Sequence, residues 1–260
     1  MMNADSTKRP ALDQLIQTTH LETGDLHVGS LFEKDNPDTI QDLHSNGEDV
    51  TKDFNKTFEW NEKFAKEGNY VAQYNLGVMY QKGKGVEKDL HKAFAWYEKS
   101  AKQGFSGAQL NLGLMYMKGE GVEQDLHKAF QLYEASANQG SSLAQYNLGI
   151  MYYHGEGVEQ DLNKTFQLFE ASAIRGYSLA QHYLGLMYYQ GLSTENDFFK
   201  AFEWFEKSAK QGYESAQFMV GFMYKNGEGV EKDQNKAIKW LTKAAQQGNH
   251  YAEMILNERF

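Results

Sequence analysis

Small and apolar positions recur along this chain with a fixed step. Ala72, Ala108, Ala144, Ala180, Ala216 and Ala252 are spaced by 36 residues, and Gly68, Gly104, Gly140, Gly176, Gly212 and Gly248 keep the same step. Inside one unit, Ala72, Leu76, Met79 and Tyr80 fall at i, i+4, i+7 and i+8, the spacing of one buried helix stripe. Gly83 follows as the residue that tolerates a left-handed backbone after a helix. Past the Gly83–Val86 loop, Asp89 stands where an N-cap acceptor is wanted, as do Asp125, Asp161, Asp197 and Asp233. The next segment puts Leu90, Ala93, Phe94, Tyr97 and Ala101 on one face before Gly104 ends it. Each unit therefore predicts two antiparallel helices. Neither can bury its apolar face alone, so the units must stack.

Glycine sharpens this picture. Gly77 and its copies Gly113, Gly149, Gly185 and Gly221 lie inside the first helix of each unit. Glycine there costs roughly 1 kcal/mol against alanine. Its recurrence predicts helices that cross too closely for a side chain. Five full copies occupy residues 71–250, and a half copy, YAEMILNERF, fills 251–260. Residues 35–70 read as a degenerate capping repeat that keeps Val50, Asp53, Lys56, Trp60, Ala65 and Gly68. Residues 1–34 form a separate acidic segment with small apolar clusters at Leu12–Ile16 and Val28–Phe32. Two readings of it stay open: a tail with one short helix, or a piece that folds onto the array as a cap.

The quoted residues, A-x-x-x-L-G-x-M-Y-x-x-G-x-G-V-x-x-D-x-x-K-A in the first part of the unit, resemble the Sel-one-like repeat, a longer relative of the tetratricopeptide repeat. The resemblance covers residues 47–260. It implies an all-α, right-handed α/α superhelical solenoid of about six helix pairs. It also implies an adaptor that assembles proteins. Some bacterial members serve as immunity proteins against secreted toxins, which is the alternative within binding. Copy four departs from the pattern, with Leu192, Ser193 and Thr194 where Glu-Gly-Val is expected, so its loop conformation is open.

Composition then removes classes of function. The chain has 26 basic and 35 acidic side chains, a net charge of −9, and no cysteine. Most of that acidity belongs to residues 1–50, leaving the array close to neutral. Without a basic stripe there is nothing to replace counterions on phosphates, so nucleic acid is not an expected partner. No apolar run is long enough to span a membrane. The start does not read as a secretory signal, so the expected compartment is cytoplasmic.

The expected site is a partner-binding groove. At 100° per residue, positions 74, 78 and 81 point away from Leu76 and Met79, toward the concave side of a solenoid. Across copies these rows are rich in apolar and aromatic residues. Tyr74, Met117, Tyr146, Ile150, Tyr153, His182, Leu186, Tyr189 and Phe218 are the candidates to grip a protein or peptide, centred on copies three and four. The competing reading packs the middle row against adjacent first helices.

Chemistry is poorly supported. The glycine loops lack the strand and the Gly-Lys-Ser/Thr of a phosphate loop. His91 and His127 sit at a position where Asn163 and Asn235 substitute, which is a solvated face. His154 and His182 lack an evident third ligand. No catalytic residue, metal or cofactor is expected, and a hydrolase is the unfavoured alternative.

Overall fold

The computed structural model describes residues 47–257, and these form twelve α-helices and no strand. They are α1 (Gly47–Lys66), α2 (Tyr70–Lys82), α3 (Leu90–Lys102), α4 (Ser106–Lys118), α5 (Leu126–Asn138) and α6 (Ser142–His154). After them come α7 (Leu162–Ile174), α8 (Ser178–Gln190), α9 (Phe198–Lys210), α10 (Glu214–Asn226), α11 (Gln234–Gln246) and α12 (His250–Asn257). The chain is a helix-pair solenoid in which each even-numbered helix opens a repeat. The two readings of residues 1–34, and the first half of the degenerate repeat, lie outside the described residues.

Caps fix where each helix starts and stops. The first helices end on Gly83, Gly119, Gly155, Gly191 and Gly227, all left-handed with φ between 70° and 76°. The Gly83 amide donates back to the Met79 carbonyl, which would otherwise be an orphan acceptor. The second helices open on Asp89, Asp125, Asp161, Asp197 and Asp233, whose side chains accept the backbone amide three residues on. That backbone hydrogen bond is the main cause holding the carboxyls of Asp89, Asp125, Asp197 and Asp233 below their ordinary 3.8. All five expected N-caps are therefore in place.

The helix pair closes on a glycine. A Cβ added at Gly77 would lie 2.5 Å from the Tyr97 ring, and one at Gly113 2.8 Å from Tyr133. At Gly149 it would lie 2.7 Å from Phe169, at Gly185 2.8 Å from Phe205, and at Gly221 2.7 Å from Leu241. Those five partners are 0–1% exposed, so none can swing into solvent. The close crossing expected from the recurrent glycine is a helix laid directly on a buried side chain, a ring in four of the five copies.

Repeats join through a second aromatic contact. Phe58 meets Tyr80, Phe94 meets Tyr116, Phe130 meets Tyr152, Phe166 meets Tyr188 and Phe202 meets Tyr224, all edge-on at 5.1–5.6 Å. Edge-on contact suits the ring quadrupoles. A lysine ammonium covers each of these tyrosines at 4.7–5.3 Å: Lys92, Lys128, Lys164, Lys200 and Lys236. Beside them runs a glutamine ladder. Gln103, Gln139, Gln211 and Gln247 donate to Gln73, Gln109, Gln181 and Gln217 at 2.7–2.8 Å. Copy three has Arg175 at the donor position, and there Gln145 Oε1 is buried with no hydrogen-bond partner among the described residues.

Loops set the register between repeats. A Cβ at Gly121 or Gly157 would fall 2.5–2.6 Å from the carbonyl oxygen of Leu90 or Leu126, at the start of the preceding second helix. In copy four the same position is Ser193, which keeps the left-handed backbone at φ 58°. It is the one non-glycine residue with positive φ among the described residues. The substituted loop thus retains the common path and stores strain.

Two outcomes follow from these contacts. Gly149→Ala gains about 1 kcal/mol of helix propensity but overpacks Phe169, at a cost of about 1–3 kcal/mol. A net loss of stability in urea unfolding is expected, and a higher midpoint would contradict the ring contact. Ser193→Gly removes the left-handed penalty of about 1–2 kcal/mol, partly offset by the greater freedom of glycine in the unfolded chain. Its melting temperature should rise.

Candidate partner-binding surface

The residues expected to line a groove fall into two sets. Met117, Ile150 and Tyr153 are partly exposed. Tyr74, Tyr146, His182, Leu186, Tyr189 and Phe218 are buried, between 3% and 9% exposed. A solvent-facing orientation for these six is corrected by the structure. The reason is that a first helix in the middle of the array has more than one neighbour. The 74-type side chain lies between the buried ring of its own second helix and the next repeat, not in water.

Tyr146 illustrates this. Its ring stacks on Phe169 of its own repeat at 5.7 Å and lies 5.2 Å from Tyr177 and 5.7 Å from Tyr183 in the next. Burial pushes its phenol well above the ordinary 10, and neighbouring Tyr183 and Tyr177 add to the shift. The phenol stays neutral at any physiological pH. His182 is wedged between Phe205 at 5.4 Å and Tyr213 at 5.0 Å. Tyr74 meets Tyr97 and Phe105 in the same manner. Phe218 packs toward Tyr251.

Part of the partner set for this row was missed in the sequence. Phe105, Tyr177 and Tyr213 occupy N-cap positions of first helices without making a side-chain cap bond. An aromatic residue there reads as a poor cap. Its use is to receive the 74-type side chain of the preceding repeat. The signal was available, since Asn69, Ser141 and Asn249 hold the same register with cap-forming side chains.

What stays open on the first helices is a band made by the 78- and 81-type rows with the last-turn residues beside them. Val78, Ile150 and Phe222 are partly exposed, as are Gln81, Met117, Tyr153 and Lys225. Lys82, Lys118, His154 and Asn226 are exposed at its rim. Leu114 and Leu186 are buried, so the middle row is partly core, as the competing reading had it. Tyr153 is half buried, and that burial raises its phenol above the ordinary 10. Its ring stands edge-on to His154 at 5.0 Å. Tyr189 leaves the band, because its hydroxyl donates to Glu228 Oε2 at 2.7 Å across the next loop.

Reactive groups do not converge on this band. Among the described residues no three His, Cys, Asp or Glu side chains come together as a metal site. His91 Nδ1 instead lies 2.9 Å from the Gly121 carbonyl on the loop edge. His154 and His182 do not share a face, since one is exposed and the other buried. No helix among the described residues is long and apolar enough to cross a membrane.

Known proteins resemble this geometry. Sel1 repeats match residues 42–69, 71–105, 106–141, 142–177, 178–213 and 214–249. A Sel1 repeat protein from Oxalobacter formigenes is 31% identical, with a TM-score of 0.73 over 79% of this chain and 82% of its own. A protective antigen of uropathogenic Escherichia coli with an SLR fold is 36% identical, with a TM-score of 0.72 over 75% of this chain. The match spans 42% of that antigen's length. The immunity protein PA5088 from Pseudomonas aeruginosa is 19% identical over 74% of this chain and 73% of its own, with a TM-score of 0.50, a likeness of fold alone. No curated protein matches the chain. Sel1 repeats mediate protein–protein interaction, and with six of them along most of its length this chain belongs to the Sel1 repeat family.

Proposed function

We propose that the protein is a non-enzymatic adaptor that binds a partner protein or peptide on the open band of its first helices, centred on Met117, Ile150 and Tyr153. The observation that carries this reading is the contrast between a fixed aromatic bed and a varied row above it. The 81-type row runs Gln81, Met117, Tyr153, Tyr189 and Lys225, while the side chain beneath the first helix is a buried ring in four copies and Leu241 in the fifth. Four of these five, Gln81, Met117, Tyr153 and Lys225, are partly exposed, and a varied row open to solvent suits recognition of one partner. Met117 supplies adaptable packing, and Tyr153 supplies area with few rotatable bonds.

Buried residues of the expected groove enter this reading as supports. Tyr146 packs between copies three and four and His182 between copies four and five, so they hold neighbouring first helices of the band at fixed separation. A contact surface on rigid helices binds without first ordering itself, which saves conformational entropy.

The two roles separate in one experiment. Met117→Ala, Ile150→Ala and Tyr153→Ala combined should leave the helical circular dichroism intact. Affinity capture from the native host should then lose a partner that the wild type retains, with binding weakened at least about tenfold. Tyr146→Ala should instead lower stability by about 3 kcal/mol, as an aromatic deletion from a packed core does. Equal recovery of every protein by wild type and triple variant would remove the band as the binding surface.

A further inference from the structure

The loop edge of the solenoid carries a feature unrelated to the open band. Each loop sits on the start of the preceding second helix, so the loops and those helix starts alternate along one edge. The contact of Gly121 with Leu90, of Gly157 with Leu126 and of Gly229 with Phe198 sets this order. In most repeats the edge is polar. The loop position after the helix-ending glycine holds Lys84, Glu120, Glu156 and Glu228, and the second helical residue holds His91, His127, Asn163 and Asn235. Copy four replaces both, with Leu192 and Phe199, and has Phe198 at the first helical residue, where the other copies have Leu90, Leu126, Leu162 and Gln234.

The result is an apolar patch in an acidic setting. Phe199 is 63% exposed and Phe198 36%. Phe198 is held edge-on against Tyr189 at 5.0 Å, and the Tyr189 hydroxyl is tied to Glu228, so the patch is anchored from beneath. Glu195 lies in the loop before it, and Glu228, Glu231 and the single cation Lys232 lie in the loop packed against it. Neither Glu195 nor Glu231 closes a salt bridge among the described residues, whereas the Lys200 ammonium is taken up by Asp197 at 3.5 Å.

Three surface tryptophans elsewhere in the molecule are covered by its own cations, although no ammonium covers Trp60 among the described residues. Lys99 sits over Trp96 at 4.1 Å, Lys207 over Trp204 at 3.8 Å and Lys243 over Trp240 at 4.4 Å. The inter-repeat tyrosines are covered likewise. Phe198 and Phe199 have no such ammonium among the described residues, and the carboxylates around them would attract one from outside. An aromatic face bordered by unpaired carboxylates favours a guanidinium or ammonium by both the ring quadrupole and Coulomb attraction.

We propose that the copy-four loop edge is a second docking surface, for a cationic protein segment carrying an apolar side chain. Arginine or lysine of that segment lies over Phe199 and faces Glu195 and Glu231. Its apolar side chain packs on Phe198 and Leu192. The surface works independently of the band on the first helices.

The probe is a labelled peptide, acetyl-Arg-Arg-Leu-Arg-Arg amide, with its glutamate counterpart as control, read by fluorescence anisotropy at physiological salt. The full chain should bind the arginine peptide and not the glutamate peptide. Phe199→Asn, which installs the residue type of copies three and five, should weaken binding roughly tenfold, about 1.4 kcal/mol. The double variant Glu195→Gln/Glu231→Gln should weaken it by a similar factor, and the Met117/Ile150/Tyr153 variant should bind as the wild type does. Absence of binding by the wild type, or binding untouched by Phe199→Asn, would overturn the proposal.

Discussion

A glycine against a buried ring is the contact on which the remaining architecture depends. At Gly77, Gly113, Gly149 and Gly185 the first helix rests on a tyrosine or phenylalanine of the second, closer than any Cβ would allow. Because the ring is fully buried, this contact fixes how far apart the two helices of a repeat stand. Everything that joins repeats is measured from that distance. The edge-on Phe–Tyr contacts keep to 5.1–5.6 Å across five junctions because each pair starts from the same geometry. At the last full repeat Leu241 takes the place of the ring, and the contact survives with an aliphatic side chain.

Such regularity leaves the departures informative. Copy three ends its second helix in Arg175 and breaks the glutamine ladder, stranding Gln145 Oε1. Copy four bends its loop through Ser193 at a positive φ and brings two phenylalanines to the edge. Stacking needs none of these changes. In a quasi-one-dimensional fold, where each repeat touches only its neighbours, a local departure costs only locally. This allows copy four to differ without disturbing the others, and it is where the structure has room for a function of its own.

The proposed binding band and the array's stability are linked through the same rings. Tyr146 and His182 lie under the surface and between repeats, so their loss would act on the fold before it acted on any partner. Met117, Ile150 and Tyr153 touch the outside. Under the proposed function, alanine substitution at either set would reduce binding, but by different routes, and only the second route speaks to recognition.

Much of this was legible in the chain. The step of 36 residues, the aspartate caps at 89 and its copies, the glycines after the first helices and the close crossing at Gly77 are all local matters of backbone geometry and volume. Local physics writes them into local sequence. The orientation of Tyr74, Tyr146, His182 and Phe218 is a different kind of fact. A helical wheel drawn for one helix and one partner turns them toward solvent, whereas the array supplies another neighbour that covers them. Tyr189 bound to Glu228 and Phe198 set against Tyr189 likewise depend on which loop meets which helix start. The sequence by itself determined the repeat, its caps and its helix pairing. Only the tertiary structure decided which apolar residues face water, because burial is a property of the neighbours and not of the residue.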